Sequence, residues 1–460
     1  MSKKIRTEAV DYLFQGILSL EDKEECYTFF EDICTVNELL ALSQRFEVAH
    51  MLREQKTYLD IAEKTGASTA TISRVNRSLN YGNDGYDLVF SRRMKTKLFE
   101  ISFFHEFKCK INDCPYTCCR GWRIVFDEET YQRYLAEPGK LGRRLRSSIQ
   151  KINGEVYFRA SLKQCIFYEK GSTCQLQRVV GTDYMPLVCR QYPRVWQHFG
   201  PFAEEALFLS CPEAAHLFLE HLDDLEYVAS TREVMYERWG TNDDEPYLFW
   251  LRKLREAMIC ELWDTSRSLP QILAGFLAAM REIQQDFIDG KGLQNIPEIM
   301  QRHKSETGLH IHAQITDQML TNGLYHVKLR RVSPLLYRLC RYYFSCFDSL
   351  TSGQADAYMD ELRERLYRNH PEVGHMMRGY VVYYLQISFL DVYEDYSFVK
   401  KMIYGIMHMH MLELFLMLYE KQKNSLTHEE LALLIAVYDR RGRHNESVAA
   451  GMYEKLYPAL

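Results

Sequence analysis

Apolar residues recur at three- and four-residue intervals along most of this chain, the spacing that lays one greasy stripe along a helix. The pattern is plainest after residue 245, in Tyr247 to Trp263, Leu269 to Ile288, Pro334 to Leu350 and Tyr380 to Glu420, and it predicts a helical C-terminal part. Residues 1–93 carry shorter amphipathic segments joined by tight turns. They end in the Gly-, Asn- and Asp-rich stretch Asn80 to Tyr86, followed by Arg92 and Arg93, which reads as a linker. Between these parts the helical period breaks into short alternating runs such as Glu155 to Arg159. The expectation is a mainly α protein in three domains: 1–93 all-helical, 94–245 irregular α+β, and 246–460 helical. No internal repeat or low-complexity tract interrupts them.

Within the first domain, Thr57 to Thr65, the turn Gly66-Ala67-Ser68 and Thr69 to Leu79 have the layout of a helix-turn-helix. Ala62 is small enough for two helices to cross closely, Gly66 can adopt the positive φ of the turn, and Ser68 can cap the second helix. Ile72, Val75 and Leu79 form the inward stripe of that helix. Ser68, Thr69, Thr71, Ser73, Arg74, Asn76 and Arg77 remain for the outer face, all polar or basic, as suits reading of base edges and phosphates in the major groove. The plainer alternative is a helical hairpin with a solvated face.

Charge narrows the partners. With 57 Lys plus Arg against 62 Asp plus Glu, the net charge is −5, which argues against a general nucleic-acid coat or a polybasic membrane binder. The longest uncharged apolar run, Gly379 to Leu390, is far short of the ~20 residues of a spanning helix. No membrane partner is expected. The first ten residues lack an apolar signal core, so the expected location is cytoplasmic.

Of 13 cysteines, eight fall between positions 109 and 211: Cys109, Cys114, Cys118, Cys119, Cys165, Cys174, Cys189 and Cys211. In a reducing compartment such clustering favours metal ligation over disulfides, and soft thiolates select zinc or iron-sulfur clusters. Four thiolates suffice for one centre, so eight imply two centres or some cysteines that simply pack. Adjacent Cys118 and Cys119 are expected to diverge and to serve different roles. The CxxxCxxC spacing of radical S-adenosylmethionine enzymes begins at Cys114 and Cys118 but fails at Gly121. Two histidine pairs draw the eye less. His408 and His410, inside Met407 to Met411, point apart on a helix and read as core, while His310 and His312 lack an evident third ligand and read as surface.

Two resemblances follow from these residues. The run from Leu42 to Phe90, "LSQRFEVAHMLREQKTYLDIAEKTGASTATISRVNRSLNYGNDGYDLVF", resembles the Trp-repressor-like YerC/YecD proteins. That resemblance implies an all-helical domain binding double-stranded DNA, with a homodimer through this domain as the candidate assembly. Val75 stands where Trp repressor has the glycine that admits the indole, so tryptophan binding is not implied. The ordered pieces "FKCKINDCPYTCCRGWRIVFDEETYQRY", "CIFYEKGSTCQLQRVVGTDYMPLVCRQYPR" and "ALFLSCPEAAHLFL", with the later "DRRGRHN" at Asp439 to Asn445, resemble the flagellin lysine N-methylase family. This second resemblance implies transfer of the methyl group of S-adenosyl-L-methionine to lysines of flagellin. It also implies an iron-sulfur centre, expected to be 4Fe-4S with zinc as the alternative, in the cysteine-rich domain. The metal-chelating YkgJ-type domains share part of the cysteine pattern. The chain therefore reads as a fusion.

Methyl transfer needs a neutral lysine amine, which a dry aromatic pocket or a nearby cation provides by lowering its pKa from ~10.4. The aromatic clusters at Tyr342 to Phe344, Tyr380 to Tyr384 and Tyr393 to Phe398 have helical spacing and read as core, so no residue is assigned as catalytic. A Gly-rich dinucleotide fingerprint is missing; Gly290-Lys291-Gly292 is the nearest run, and it lacks the third glycine. The donor is then expected on another surface, with an open position at the metal centre as one candidate. The competing function is a helix-turn-helix transcription regulator whose metal centre senses iron or redox state without methylating anything.

Overall fold

The computed structural model describes residues 6–53, 56–90, 93–110, 114, 116–119, 124–152, 155–158, 160–161, 164–169, 174–199, 202–232, 234–237, 245–325 and 329–460. Arg92, Gly121 and Arg159, named above, lie outside them. The protein is mainly α-helical and divides into two compact units, residues 1–96 with 233–242, and residues 97–232 with 243–460.

In the first unit, helices Glu8–Leu18, Lys23–Ile33, Val36–Arg53, Tyr58–Thr65, Thr69–Tyr81 and Gly85–Phe90 follow one another. Residues 93–96 pair with 234–237 as an antiparallel ladder. Local signals set the helix starts: Thr7, Asp22, Thr57 and Ser68 each cap a helix through a side-chain oxygen. The core is small, made of Val48, Ala49, Met51, Ile61, Ala67, Ile72, Val75 and Phe90. Helix Glu8–Leu18 buries nothing. Tyr12, Leu18, Val36 and Leu40 are between 61% and 83% exposed, an apolar surface left open among the described residues.

The second unit holds a small mixed sheet. Residues 97–100 pair in parallel with 202–205, flanked by antiparallel strands Arg194–His198 and Tyr227–Ala229. Helix Glu245–Leu262 is tied to this sheet by a buried ion pair, Arg255 to Glu204 at 2.5 and 2.7 Å. A satellite core of Phe126, Tyr134, Leu145, Phe158 and Phe167 sits under the hairpin Ile149–Ile152 and Glu155–Phe158. The helical remainder packs around Phe398–Lys423. This helix is long and apolar enough to cross a membrane by composition, yet 89% of its apolar window is buried inside the protein.

The stretch Tyr380 to Glu420 is not one helix. Helix Glu372–Ser388 passes into a 3-10 turn and the short helix Val392–Asp395, Tyr396 turns left-handed at φ 53°, and a new helix starts at Phe398. Asp395 accepts from the Ser397 amide at 3.1 Å and Gln284 from the Phe398 amide at 2.9 Å, so side chains satisfy the new helix start. Phe389, Leu390, Val392 and Phe398 are all buried across the break, which is why the apolar spacing runs through it.

Candidate functional site

The helix-turn-helix forms with the anatomy its residues dictate. Thr57 and Asp60 make a reciprocal capping box, Gly66 takes φ 65° at the end of helix Tyr58–Thr65, and Ser68 accepts from the Thr71 amide at 3.2 Å. Ile72 and Val75 are buried and Leu79 half-buried. Ser68, Thr69, Ser73, Arg74 and Arg77 are exposed, whereas Thr71 and Asn76 are half-buried. Asn76 donates to the Tyr58 hydroxyl at 2.9 Å, so it also latches the two helices together. Val75 fills its place in the core.

In the second unit a cavity of about 260 Å³ collects seven of the eight clustered cysteines: Cys109, Cys114, Cys118, Cys119, Cys174, Cys189 and Cys211. Cys165 does not line it but lies alongside, its amide donating to the Cys119 carbonyl at 2.9 Å. Short irregular elements achieve this convergence. Cys174 precedes helix Gln175–Val180, Cys189 lies in helix Leu187–Gln191, and Cys211 precedes helix Pro212–Glu220. Cys118 and Cys119 do not diverge as expected, because a turn brings their sulfurs into a hydrogen bond. Their titrations nevertheless separate. The bond to Cys119, with burial, pushes the Cys118 thiol well up. The same bond, aided by the Thr117 hydroxyl and the Arg440 charge, brings Cys119 down to about 7. Burial raises the remaining shifted thiols, Cys165 to about 12 and Cys211 to about 11.

Arg440 forms part of the cavity wall. Its side chain is buried, donates to the carbonyls of Thr117, Tyr116 and Ser210 at 2.8, 3.0 and 2.8 Å and to the Tyr192 hydroxyl at 3.3 Å, and stacks 4.1 Å from the Tyr116 ring. It projects from a π-helical turn, Asp439–Arg443, inserted after helix His428–Tyr438. Asp439 anchors that turn, fully buried, 3.4 Å from Arg443 and 3.1 Å from His444. Burial would raise its pKa, but the Arg443 charge, together with the His444 ring that hydrogen-bonds it, outweighs burial and holds it at about 2. Sequence reasoning pointed at Asp439 to Asn445 only as a charged segment and missed this role.

The donor set fits a thiolate-ligated inorganic centre: soft ligands around one space, one buried cation to offset their charge, and buried thiols that ionise only against positive charge. A tetrahedral zinc ion with Zn–S bonds near 2.3 Å draws its sulfurs to about 3.8 Å. Among the described residues no three of these sulfurs lie within 4.8 Å of one another.

The other motifs resolve simply. His408 bonds the Tyr438 hydroxyl at 2.9 Å and His410 the Thr316 hydroxyl at 2.8 Å, on different neighbours. Both are buried core histidines, with burial depressing each pKa to about 3. Tyr343, Tyr380, Tyr383 and Tyr384 are buried, and Tyr383 bonds the Leu207 carbonyl at 3.0 Å. Gly290 and Gly292 take positive φ in a turn after helix Leu269–Ile288, where Lys291 pairs with Asp286 at 2.7 Å. His310 and His312 are exposed, as expected of surface residues, and Asp356 places a carboxylate oxygen within 4.8 Å of a ring nitrogen of each.

Residues 8–94 match the family model of the Trp repressor protein, and residues 255–458 match the FliB lysine N-methylase C-terminal domain. Over 94 residues the chain is 58% identical to the uncharacterized protein YerC of Bacillus subtilis (strain 168), spanning 20% of this chain and 90% of that protein. It is 27% identical over 131 residues to the flagellar biosynthetic protein FliU of Salmonella muenchen, 27% of this chain and 78% of that protein. It is also 27% identical over 149 residues to the lysine-N-methylase of Salmonella typhimurium (strain LT2), 31% of this chain but only 37% of that enzyme's length. The chain thus belongs to the YerC-like Trp-repressor family through its first domain, to which a FliB-type lysine N-methylase region is fused.

Proposed function

We propose that this protein is an S-adenosyl-L-methionine-dependent lysine N-methyltransferase acting on flagellin, built around a cysteine-ligated iron-sulfur centre and carrying a domain that binds double-stranded DNA as a homodimer. The observation that carries the reading is the Arg440 contact. A side chain from within the matched methylase domain forms one wall of the cysteine cavity and hydrogen-bonds the backbone of the Tyr116-Thr117 loop. The cysteine-rich segment and the helical remainder form one compact body, which supports a centre serving the methylase.

In the reaction the lysine nitrogen lone pair forms a bond to the methyl carbon as the carbon–sulfur bond breaks. The donor leaves as a neutral thioether, and the new ammonium releases a proton to solvent. Cys109, Cys114, Cys118, Cys119, Cys174, Cys189 and Cys211, which line one cavity, would hold the centre, with Cys165 beside them. When bound, a cluster supplies Lewis-acidic iron suited to the donor's amino and carboxylate groups. The chain's part is to hold one buried cation, Arg440, against the thiolates. For the first domain, the polar outer face Ser68 to Arg77 supports phosphate and base contacts, and the uncovered Tyr12, Leu18, Val36 and Leu40 support a second copy.

The test is incubation of the anaerobically purified full chain with flagellin and methyl-labelled donor. Label recovered on lysine side chains is the expected result, reduced at least tenfold in Cys118→Ser. Unlabelled flagellin from iron-loaded protein would remove the enzymatic reading and leave the regulator.

A further inference from the structure

We propose that His310, His312 and Asp356 form a site for a divalent cation of the zinc class, separate from the cysteine cavity. His310 and His312 flank Ile311, which is buried, so both imidazoles emerge on the outer side of the segment, their rings 4.6 Å apart and inclined at 79°. Asp356 arrives from helix Ser352–Asn369. One ligand atom from each of the three residues lies within 4.8 Å of the others. The carboxylate is already held in place: Oδ1 accepts the Ala313 amide at 2.7 Å, while Oδ2 sits 2.9 Å from His312 Nδ1.

Two imidazole nitrogens and one carboxylate oxygen make a three-ligand set for a borderline cation, with water completing the shell. Fixing the carboxylate through a backbone amide is the kind of outer support that metal ligands need. His310 also lines a cavity of about 420 Å³ with Arg363, Tyr367, His410 and Glu413, so a bound ion sits at the rim of that space. Its open positions can accept water or an oxygen ligand there. The ion also clamps the His310–His312 segment to helix Ser352–Asn369.

The probe is Zn²⁺ alone, added to the full chain purified with its cysteine centre filled, with bound metal counted after gel filtration. Wild type should retain one zinc more than His310→Ala and one more than Asp356→Asn, the latter keeping an acceptor for the Ala313 amide. Co²⁺ should give a wild-type-minus-variant spectrum with weak visible bands and no sulfur charge-transfer band. Equal zinc counts in all three proteins, or a difference spectrum dominated by sulfur ligation, would overturn the proposal. Circular dichroism identical to wild type shows that either variant remains folded.

Discussion

The Arg440 guanidinium donates at 2.8 Å to the carbonyl of Thr117, a residue 323 positions earlier. One buried side chain thereby joins the π-helical turn Asp439–Arg443 to the loop that carries Cys114, Cys118 and Cys119. Arg440→Met keeps much of the volume but removes the charge and every donor. The expected outcome is a loss of roughly 2–5 kcal/mol in urea unfolding, since several buried carbonyls lose their partner. Iron bound per chain should fall in parallel. A variant with wild-type midpoint and iron content would mean that Arg440 does not organise the site.

DNA affinity should rest on the outer face of helix Thr69–Tyr81, where Arg74 and Arg77 are exposed. In fluorescence anisotropy with a labelled duplex, Arg74→Ala and Arg77→Ala should each weaken binding and reduce the log–log salt slope by about 1. A salt slope unmoved by the double variant would assign the surface to something other than phosphate contact.

The exposed apolar residues of the first three helices predict self-association. Leu18 is 83% exposed and Leu40 61%. Leu18→Glu with Leu40→Glu should convert a dimer, seen by light scattering, into a monomer while leaving helix content unchanged. Wild type that stays monomeric at high concentration contradicts the assembly.

Acid should weaken the methylase unit through His408 and His410. Burial holds both folded-state pKa values at about 3, below the ordinary 6.5, so the unfolded chain takes up protons first. The stability due to their neutral burial is complete above pH ~6.5 and declines as pH falls toward 3, by about 1.4 kcal/mol per pH unit for each histidine. His410→Gln should remove about half of that histidine-linked slope between pH 6 and 4 in urea midpoints. An unchanged slope would show that His410 is charged or exposed when folded.

What could be read from the sequence follows the range of the interactions. The helix-turn-helix was legible because Thr57, Asp60, Gly66 and Ser68 act within a few residues of one another. The clustered cysteines were plain in the sequence, but nothing local told Cys165 apart from the seven that line the cavity. The Cys118–Cys119 contact depends on a turn that backbone alternation did not reveal. Arg440 and Asp356 escaped for one reason: their partners lie 323 and 44 positions away, and only tertiary packing brings them together. The helix break before Phe398 was hidden because its residues stay apolar and buried on both sides.

The claim on which the rest depends is that the gathered thiols of one cavity hold an inorganic cluster. Anaerobic purification with iron and acid-labile sulfide analysis tests it most directly. The expected result is a brown protein with about four irons and four sulfides per chain and a broad band near ~400 nm, lost in a Cys114→Ser, Cys118→Ser double variant. A colourless protein holding one tightly bound zinc, or no metal at all, would contradict it.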